Sequence, residues 1–421
     1  MRVLLANKFF RRGAGAETVF FDTLDVLESA GHTVIPFAMA DEANEPSEWS
    51  PYFARRRDYV GGSAISRARD GMSSIYSPGA RRKIGELIRA GHPDVAHLHN
   101  VYHQLTLSIV DELRAAGVPT VMTVHDYKPV CPNYQLLTHD GACTRCVTGS
   151  YVNAVVHRCV KGSRAASSIA ALEASLNRLR RQYDKIDRFI APSAFLRDVL
   201  VDGGIPASRI NVLPNPVAVT ADPPRRERET SRRFVYIGRL APEKGLLTLF
   251  DALGCTREPG ITVHLYGAGP IEAELRERAA REELPVELHG LRTKAELAAA
   301  LADARALVLP SIVPENCPMS LIEAGAAGVP AIASSVGGIP ELVAHAETGL
   351  LVPPHDADAL AHAMDALATD VALSEKLGNG ARSRVIARHH PDGYLDALLD
   401  AYRQAGAVDR GCATSNSALV A

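Results

Sequence analysis

The feature of this 421-residue sequence that most constrains its fold is a regular alternation of short apolar runs with helical patterns. In the N-terminal half the apolar runs are RVLLA, HTVIPFA, DVAHLHN and PTVMTVHD, and helical patterns separate them. Runs that are apolar throughout are typical of parallel strands buried on both faces, and their alternation with helices is typical of doubly wound domains. The sequence therefore predicts an α/β fold with parallel sheets.

A polar segment, TADPPRRERETSRR, interrupts this pattern, and the alternation then restarts with RFVYIG. Charge and proline are typical of linkers, so we predict two Rossmann-like domains that face each other across a cleft. Ligands of such domains bind at the carboxyl ends of the strands, where helix N-termini favour anions. The predicted parts are an N-terminal domain 1–217, a linker 218–232, a C-terminal domain 233–389, a C-terminal helix 390–406 and a disordered tail 407–421.

The composition excludes several other classes of protein. With 47% apolar residues, 22% charged residues and a net charge of −2, the chain is globular, and we expect no nucleic-acid partner. No apolar run approaches the roughly 18 residues of a membrane span, and Met1 leads directly into RVLLANKFF without a signal-like segment. We expect a cytoplasmic protein. Its basic clusters are expected to be solvated helix faces, with an anionic acceptor or peripheral contact at the inner membrane face as the alternative.

Two glycine-containing turns follow predicted strands. In NKFFRRGAGAETVF, Gly13 and Gly15 precede a helix, where glycine lets a phosphate approach the backbone. This stretch lacks the dinucleotide fingerprint G-x-G-x-x-G, so a tight turn without a ligand is a serious alternative. In VYIGRLAPEKGL, Arg239 and Lys244 flank a turn before a helix, and two cations there suit a diphosphate. The alternative is that these cations only cap surface turns.

The stretch 310–343 places two glutamates, Glu315 and Glu323, eight residues apart among small apolar residues. The run ARALVLPS predicts a buried strand, and Pro318 can begin the following helix. Glu315 would then lie in the loop before the helix, and Glu323 about a turn and a half inside it. A carboxylate among Leu321, Ile322 and other apolar residues is costly to bury without a partner, and a ligand hydroxyl would be such a partner.

These motifs closely resemble those of the family 4 retaining glycosyltransferases, which have the two-Rossmann architecture known as GT-B. The resemblance extends over nearly the whole chain, and the order and spacing of its parts are more specific than any single part. Where many members have Gly-Phe-Gly after the first glutamate, this chain has Asn316-Cys317-Pro318. The matching parts are the glycine loop after the first strand, His125-Asp126, IAPSAFLRDVL, VLPNPV, YIGRLAPEKG, LYGAGP, the Glu315-x7-Glu323 pair and TGLLVPPHD.

The resemblance implies a role for each matched residue. Arg239 and Lys244 would hold the diphosphate, Glu323 the ribose hydroxyls, and Glu315 the hydroxyls of the donor sugar. His125 would contact the sugar from the N-terminal domain, so the expected catalytic residues are His125, Glu315, Arg239 and Lys244. The expected donor-binding residues are Gly15, Gly238, Arg239, Lys244, Arg292, Asn316, Cys317 and Glu323. On the acceptor side we expect Asp126, beside the loops 39–75 and 127–165, and also His99 and Asn100, which would line the acceptor pocket because they lie at the carboxyl end of the DVAHLHN strand.

The function implied is a retaining transfer of a hexose or N-acetylhexosamine from a nucleoside-diphosphate sugar, with UDP as the family's usual nucleotide. The acceptor would be a hydroxyl of a bacterial surface glycan, a lipid-linked sugar or a natural product. Cations and N–H groups would stabilise the departing diphosphate, so we expect no catalytic metal or other cofactor. The sequence Asp356-Ala357-Asp358 matches D-x-D, but Asp356 is predicted to be a helix N-cap. The alternatives are a sugar-nucleotide epimerase of the same architecture and a non-catalytic sugar-nucleotide-binding protein.

An insert at 131–159 carries four cysteines with the spacing C-x11-C-x2-C-x12-C. Cysteine-rich loops of cytosolic proteins favour thiols or metal over disulfides. A structural zinc site is therefore our expectation, with His139 and His157 as alternative ligands. Four reduced thiols, or a redox disulfide between Cys143 and Cys146, are the alternatives. The expected ligands are Cys131, Cys143, Cys146 and Cys159.

Overall fold

The computed structural model describes residues 1–13, 15–56, 75–139, 141–219 and 231–409. It divides into two compact units, unit 1 with Met1–Pro216 and Asp392–Ala421, and unit 2 with Val217–Pro391. Each unit contains a six-stranded parallel sheet with helices in the connections, which confirms the predicted α/β class. The predicted linker 218–232 lies largely outside the described residues.

Unit 1 is built on short apolar strands that are buried on both faces. The strands of its main sheet are β1 (Arg2–Ala6), β2 (Thr33–Phe37), β3 (Val95–Leu98), β4 (Thr120–Thr123), β7 (Arg188–Ala191) and β8 (Ile210–Val212). Alternate residues of β1 enter two different core clusters, Leu4 on one face and Leu5 on the other. This two-sided burial is the physical reason why these strands are apolar throughout.

The remaining elements of unit 1 are a hairpin and the connecting helices. The hairpin strands are β5 (Leu137–Thr138) and β6 (Gly141–Ala142), which pair antiparallel within the cysteine insert. The helices are α1 (Ala16–Ser29), α2 (Pro78–Gly91), α3 (Ser108–Ala115), α4 (Val152–Val156), α5 (Arg164–Leu179) and α6 (Ala194–Asp202).

Unit 2 repeats the same plan with a second set of parallel strands and helices. Its strands are β9 (Arg233–Ile237), β10 (Thr262–Tyr266), β11 (Val286–Gly290), β12 (Ala306–Leu309), β13 (Ala331–Ser334) and β14 (Gly349–Val352). Its helices are α7 (Leu246–Cys255), α8 (Glu272–Arg281), α9 (Lys294–Ala302), α10 (Met319–Ala326), α11 (Ile339–Leu342), α12 (Ala357–Thr369) and α13 (Val371–His389). The backbone N–H of Ala359 donates to Asp356 Oδ1 at 2.8 Å, so Asp356 is the N-cap of α12, as predicted.

The order of the strands locates a switch point in each sheet. Unit 1 has the order β2-β1-β3-β4-β7-β8, and unit 2 has the order β11-β10-β9-β12-β13-β14. The direction of winding reverses between β1 and β3 in unit 1, and between β9 and β12 in unit 2. Open α/β sheets bind ligands beyond the carboxyl ends of the strands at this reversal. The loops that follow these four strands are therefore the places where a site is expected.

The C-terminal helix, α14 (Pro391–Gln404), belongs to unit 1 although it follows unit 2 in the sequence. The hydroxyl of its Tyr394 lies 2.8 Å from Thr23 Oγ1, and the hydroxyl of Tyr402 lies 2.8 Å from His97 Nδ1. The predicted disordered tail begins too early, because Ala407 is buried in the core and Asp409 pairs with the N-terminal amine at 3.3 Å. The rest of that tail lies outside the described residues. Among the described helices, none is both long and apolar enough to cross a membrane.

Candidate functional site

The switch point of unit 2 is formed by two interlocked loops, one after β9 and one after β12. Gly245 has a φ of 69°, and a Cβ at this position would overlap the carbonyl oxygen of Pro310. The backbone N–H of Ile312 donates to the carbonyl of Glu243 at 3.0 Å. Glycine is needed at position 245 both for its left-handed backbone and for this close approach. The two loops therefore hold each other in a defined position at the carboxyl edge of the sheet.

Opposite charges meet where these loops interlock. Lys244 Nζ lies 2.5 Å from Glu315 Oε1, and the hydroxyl of Ser311 donates to the same oxygen at 2.6 Å. Arg239 is exposed and pairs with the buried carboxylate of Glu243. The predicted residues Arg239, Lys244 and Glu315 thus lie around one switch point. The pairing of each cation with a carboxylate was missed from the sequence, although the i,i+4 spacing of Arg239 and Glu243 was a signal for one of the pairs.

The Gly-Gly pair after β13 supports Glu315 through its backbone. The N–H of Gly338 donates to the carbonyl of Glu315 at 2.7 Å. Gly337 has a φ of 59°, and a Cβ there would overlap the same carbonyl oxygen. Asn316 is buried and Cys317 is half-buried in the loop that follows Glu315. This packing explains the first glycine of VGGIP, because a side chain at 337 would displace the glutamate loop.

The remaining donor residues predicted in unit 2 are distributed along the same edge of the sheet. Gly238 follows β9, and its carbonyl oxygen lies so close to Gly267 that a Cβ at position 267 would overlap it. Glu323 is half-buried within α10. Arg292 follows β11, where its Nε lies 3.7 Å from Glu296 Oε1. Since β11 is two strands away from β9, about 10 Å at the usual spacing, Arg292 lies apart from the Lys244 pair.

A group of side chains that the sequence analysis missed lies on β10 and β11. Ligand atoms of His264, Glu287 and His289 all lie within 4.8 Å of one another. His264 Nδ1 is 2.9 Å from His289 Nε2, and the ring of Tyr266 stacks on that of His289. Burial lowers the pKa of His264 to about 4, so the pair is uncharged at neutral pH and one ring donates to the other. The sequence signal for this group was the spacing of two between His264 and Tyr266, because residues two apart share a face of a strand.

The switch point of unit 1 contains the glycine loop and the end of β3. Gly15 has a φ of 66° and precedes α1, whose N-terminus has no side-chain cap. The backbone N–H of Asn100 donates to Asn7 Oδ1 at 3.3 Å, which ties the end of β3 to the end of β1. Two predicted residues, Gly15 and Asn100, therefore lie at the same edge of this sheet.

Three histidines pack together at this edge. His99 Nδ1 lies 2.9 Å from His125 Nε2, and these two rings stack with centroids 5.1 Å apart. The ring of His97 is tilted by 39° against that of His99, with centroids 4.4 Å apart. His97 is held by Tyr402 and by Thr123 Oγ1 at 2.7 Å, as expected for a core histidine. His99 is 1% exposed, so it lies behind His125 and does not line an open acceptor pocket. Its Nε2 is buried without a hydrogen-bond partner.

Burial keeps these imidazoles neutral. It lowers the pKa of His97 to about 3 and that of His125 to about 4, and it lowers the pKa of His99 well below its usual value. The neighbouring Asp126 has its pKa raised by burial, and its Oδ1 accepts a hydrogen bond from the backbone N–H of Lys128 at 2.9 Å. The imidazoles at this edge of unit 1 are therefore uncharged hydrogen-bonding groups, which suit hydroxyls better than phosphates.

A buried ion pair attaches the cysteine insert to this edge. Lys128 Nζ lies 2.8 Å from Glu173 Oε2, with both side chains almost fully buried, and His103 Nδ1 lies 3.3 Å from the same oxygen. Lys128 Nζ also donates to the carbonyl of Pro132 at 3.3 Å. Breaking one partner of such a pair strands a buried charge, at a cost of about 3–5 kcal/mol.

The four cysteines of the insert line one small cavity. Its lining contains Pro132, Asn133, Leu137, Thr138 and Ala154 together with Cys131, Cys143, Cys146 and Cys159. Burial and the neighbouring thiols raise the pKa of Cys146 to about 12. The rings of His139 and His157 lie 6.2 Å apart and are not part of this lining. The structure thus brings together the four predicted cysteines.

Solved structures share this architecture. A sucrose-phosphate synthase from Thermosynechococcus elongatus superposes with a TM-score of 0.73 at 22% identity, covering 97% of this chain and 100% of that chain. HepE of Anabaena, solved in complex with UDP and glucose, superposes with a TM-score of 0.66 at 18% identity, covering 95% and 98%. These matches and the two Rossmann-like sheets place the chain in the GT-B class.

Two family models match consecutive parts of the sequence. The model described as Glycosyltransferase Family 4 matches residues 13–221, and that described as Glycosyl transferases group 1 matches residues 220–384. The chain belongs to this family 4 type of group 1 glycosyltransferases.

Curated relatives match it over different lengths. A phosphatidyl-myo-inositol mannosyltransferase of Mycolicibacterium smegmatis is 26% identical over 89% of this chain and 86% of its own length. A protein of Escherichia coli K12 named "Putative colanic acid biosynthesis glycosyltransferase WcaL" is 34% identical over 39% of this chain. A glycogen synthase of Mycobacterium tuberculosis is 29% identical over 70% of this chain. The chain spans 43% of WcaL and 65% of the glycogen synthase, less than two thirds of each.

Proposed function

We propose that this protein is a retaining glycosyltransferase that uses a nucleoside-diphosphate sugar, with UDP as the nucleotide. The observation that carries the proposal is the contact of Lys244 with Glu315 at the switch point of unit 2, beside Arg239. HepE was solved with UDP and glucose, which supports this choice of donor. The acceptor would be a hydroxyl of a surface glycan, a lipid-linked sugar or a natural product.

The proposed roles in unit 2 follow from charge. As the glycosidic bond breaks, negative charge grows on the diphosphate, and Lys244 and Arg239 would stabilise it. The N-terminus of α7, which has no side-chain cap, adds N–H groups beside Lys244. Each cation exchanges part of its carboxylate pairing for phosphate when the donor binds. Glu315 is then released toward the hydroxyls of the donor sugar.

The remaining donor assignments extend from this centre. We assign the sugar hydroxyls also to the backbone of Asn316 and Cys317, and the ribose to Glu323. Gly238 and Arg292 would lie along the nucleotide. These side chains and cations account for the charges that develop on the leaving group, so we propose transfer without a metal at the reaction centre. Turnover is then expected to show no gain from added Mg²⁺ or Mn²⁺.

The proposed roles in unit 1 follow from its neutral groups. We assign His125 to a hydroxyl of the donor sugar, Gly15 to a phosphate oxygen, and Asn100 with Asp126 to the acceptor. A neutral imidazole can donate one hydrogen bond and accept another, which suits a hydroxyl. His99 acts through His125, since it lies behind that ring and bonds to its Nε2.

The test is nucleotide release from a panel of UDP-, GDP- and dTDP-sugars, measured with and without a pooled acceptor extract. Release from one donor that accelerates with acceptor supports transfer. Tight donor binding without free diphosphate under any condition would favour the alternatives, a sugar-nucleotide epimerase or a non-catalytic binding protein. The same samples are then analysed for an epimerised sugar, which separates those two.

We also propose that unit 1 contacts the inner membrane face through α4 and α5. Several apolar side chains on these two helices are exposed, among them Val156 at 64% and Leu179 at 78%. On α5 the exposed residues Ile169, Leu172 and Leu179 share one face, at the i, i+3 and i+10 positions of a helix. Exposed apolar residues concentrated on a helix mark a contact with a lipid surface or another protein.

The charge around this face favours an anionic lipid surface. Residues 141–181 contain seven Lys or Arg residues and one acid, Glu173, which is buried against Lys128. All seven cations are exposed, although the whole chain carries a net charge of −2. Basic residues beside an apolar helical face bind anionic leaflets, each contributing about 1 kcal/mol near the surface. The same charge disfavours pairing of this face with a second copy.

Vesicle sedimentation tests this contact. Phosphatidylglycerol vesicles are expected to sediment the full chain, and phosphatidylcholine vesicles are not. The double variant L172Q/L179Q should lose binding, and the matched variant I386Q, which changes an exposed residue of unit 2, should retain it. Equal sedimentation of all three proteins, or a dimer that L172Q/L179Q dissolves, would overturn the membrane assignment.

A further inference from the structure

The cysteine insert has the framework of a metal-binding knuckle. The hairpin of β5 and β6 leads directly into Cys143-x2-Cys146, and the backbone N–H of Cys143 donates to the carbonyl of Leu136 at 2.7 Å. The N–H of Val147 donates to the carbonyl of Thr144 at 2.9 Å, which closes the turn that carries the C-x2-C pair. The hairpin and the turn together fix the backbone of both Cys143 and Cys146, so their two thiols are held in one short segment.

The other two cysteines enter from opposite sides of the insert. Cys131 precedes the hairpin, and Cys159 follows α4, where its backbone N–H donates to the carbonyl of Ala154 at 3.0 Å. Tyr134 and Leu136, between Cys131 and the hairpin, have φ values of 58° and 51°. Residues with side chains rarely adopt this left-handed backbone, so the chain is bent here at a cost of about 1 kcal/mol or more for each residue. The bend directs the loop of Cys131 around the shared cavity.

Asn133 joins the sulfur of Cys131 to the hairpin. The thiol of Cys131 donates to Asn133 Oδ1 at 2.8 Å, and the side-chain amide of Asn133 donates to the carbonyl of Leu137 at 2.6 Å. Cys131 is therefore held beside the strand that leads to Cys143 and Cys146, on the lining of the shared cavity.

We propose that Cys131, Cys143, Cys146 and Cys159 bind one structural Zn²⁺ ion. Four cysteines from a C-x2-C turn and two flanking segments are the donor set of a closed tetrahedral zinc site. Zinc–sulfur bonds are about 2.3 Å long. Binding of the ion would therefore bring the four sulfurs closer together than they are around this cavity. This inference does not depend on the transfer reaction.

Two groups that contain histidine are poorer candidates for a metal site. His139 and His157 face each other and are absent from the lining, so the four-cysteine set is preferred to a set with histidine. Among the described residues, His264, Glu287 and His289 bring three ligand atoms within 4.8 Å, which the four sulfurs do not. However, the hydrogen bond between the two imidazoles already accounts for that short distance.

The zinc would fix the base of the insert next to the acceptor-side residues. Cys131 is next to Pro132 in the sequence, and the carbonyl of Pro132 accepts a hydrogen bond from Lys128 Nζ, which also donates to Glu173. The backbone of Lys128 in turn bonds Asp126. Loss of the ion is therefore expected to loosen both the insert and the loop of Asp126.

Elemental analysis of the full chain, purified after growth with added zinc, is the first experiment. We expect about one zinc per chain in the wild type and in C255S, which changes an exposed cysteine of unit 2. The variants C146S and C143S/C146S should contain less than about a tenth of that amount. Zinc retained in the double variant, or absent from folded wild type, would overturn the proposal.

A second measurement covers variants that do not fold. Wild-type protein is titrated with an organomercurial reagent in the presence of a colorimetric zinc chelator. Zinc should appear as the insert thiols react, and reaction of Cys255 alone should release none. Thiols that react without zinc release, or a Cys143–Cys146 disulfide found by mass spectrometry of the untreated chain, would contradict a zinc site. Neither measurement uses a sugar donor, so failure here is distinct from failure of the proposed transfer.

Discussion

The two switch points lie at the same position in two similar sheets, but an ion pair lies at one and neutral imidazoles lie at the other. In unit 2, Lys244 and Glu315 are half-buried and form an ion pair at 2.5 Å. In unit 1, His99 and His125 are held neutral by burial and share one hydrogen bond. The topology of an open sheet therefore decides where a site lies, and the burial of its side chains decides which ligand chemistry it suits.

The largest effect is expected when the charge of unit 2 is removed. Lys244→Ala should lower kcat about 10²–10³-fold, or about 3–4 kcal/mol, because the growing charge on the diphosphate loses a preorganised cation. Steady-state kinetics with the donor identified by the panel measures this change. Lys376→Ala removes an exposed lysine of α13 and is the matched control. Equal activity of the two variants would show that Lys244 does not serve the diphosphate.

The neutral switch point is expected to respond to pH. The unfolded chain protonates its histidines near pH 6.5, whereas the folded chain does not protonate His125 until about pH 4 or His97 until about pH 3. The unfolded state therefore binds more protons in this window, so stability should fall as pH falls. Between pH 6.5 and 5 the loss is on the order of 2 kcal/mol per buried histidine.

Urea unfolding at several pH values measures this loss. The variant His99→Asn should flatten the dependence, and His362→Asn, which removes an exposed histidine of unit 2, should leave it unchanged. If both variants follow the wild-type curve, the stacked histidines do not titrate as their burial requires.

A backbone change sharpens the comparison within unit 2. Gly337→Ala should destabilise the chain by about 1–3 kcal/mol and lower donor affinity, because its φ is 59° and its Cβ would displace Glu315. Gly393→Ala in α14 has open space and a helical backbone, so it should be neutral or stabilising by up to about 1 kcal/mol. Chemical denaturation and UDP titration calorimetry measure the two effects. Similar results for both glycines would refute the proposed packing on Glu315.

The smallest effect concerns the ion pair itself. Glu315→Gln keeps the shape of the side chain but removes the charge that competes for Lys244. UDP alone should then bind about tenfold more tightly, or about 1.4 kcal/mol, while transfer slows because the sugar loses a carboxylate partner. Calorimetry with UDP and kinetics with the donor separate the two changes. Weaker UDP binding by this variant would mean that Glu315 does not restrain Lys244.

Much of the fold could be predicted because the spacing of apolar residues and the composition of a segment can be read from that segment alone. The strands β1 to β4 were apparent as apolar runs, and Asp356 was recognisable as a cap from the helix that follows it. The placement of α14 was not predictable, because nothing near Tyr402 in the sequence indicates a partner as distant as His97. The start of the tail was wrong for the same reason, since Ala407 is buried by residues far away in the chain.

The residues of the candidate site could be predicted from the sequence, but the contacts between them could not. Arg239, Lys244 and Glu315 could be named from the turns they occupy, but the 2.5 Å contact depends on how two loops interlock. His99 was expected at an open pocket because it ends a strand. It is buried because His125, from the adjacent strand, lies in front of it. Neighbouring strands determine exposure, and the order of strands is not a local property of the sequence.

The position of α14 has a consequence for synthesis. Unit 2 is one continuous segment of the chain, whereas unit 1 needs Tyr394 and Tyr402, which the ribosome delivers only after all of unit 2. Domains generally fold as units, with N-terminal ones first during translation. Here that order is reversed: the earlier unit waits for its last helix, with Thr23 and His97 lacking their partners until then. A chain that ended just before Asp392 would contain all of unit 2 but would lack the last helix of unit 1.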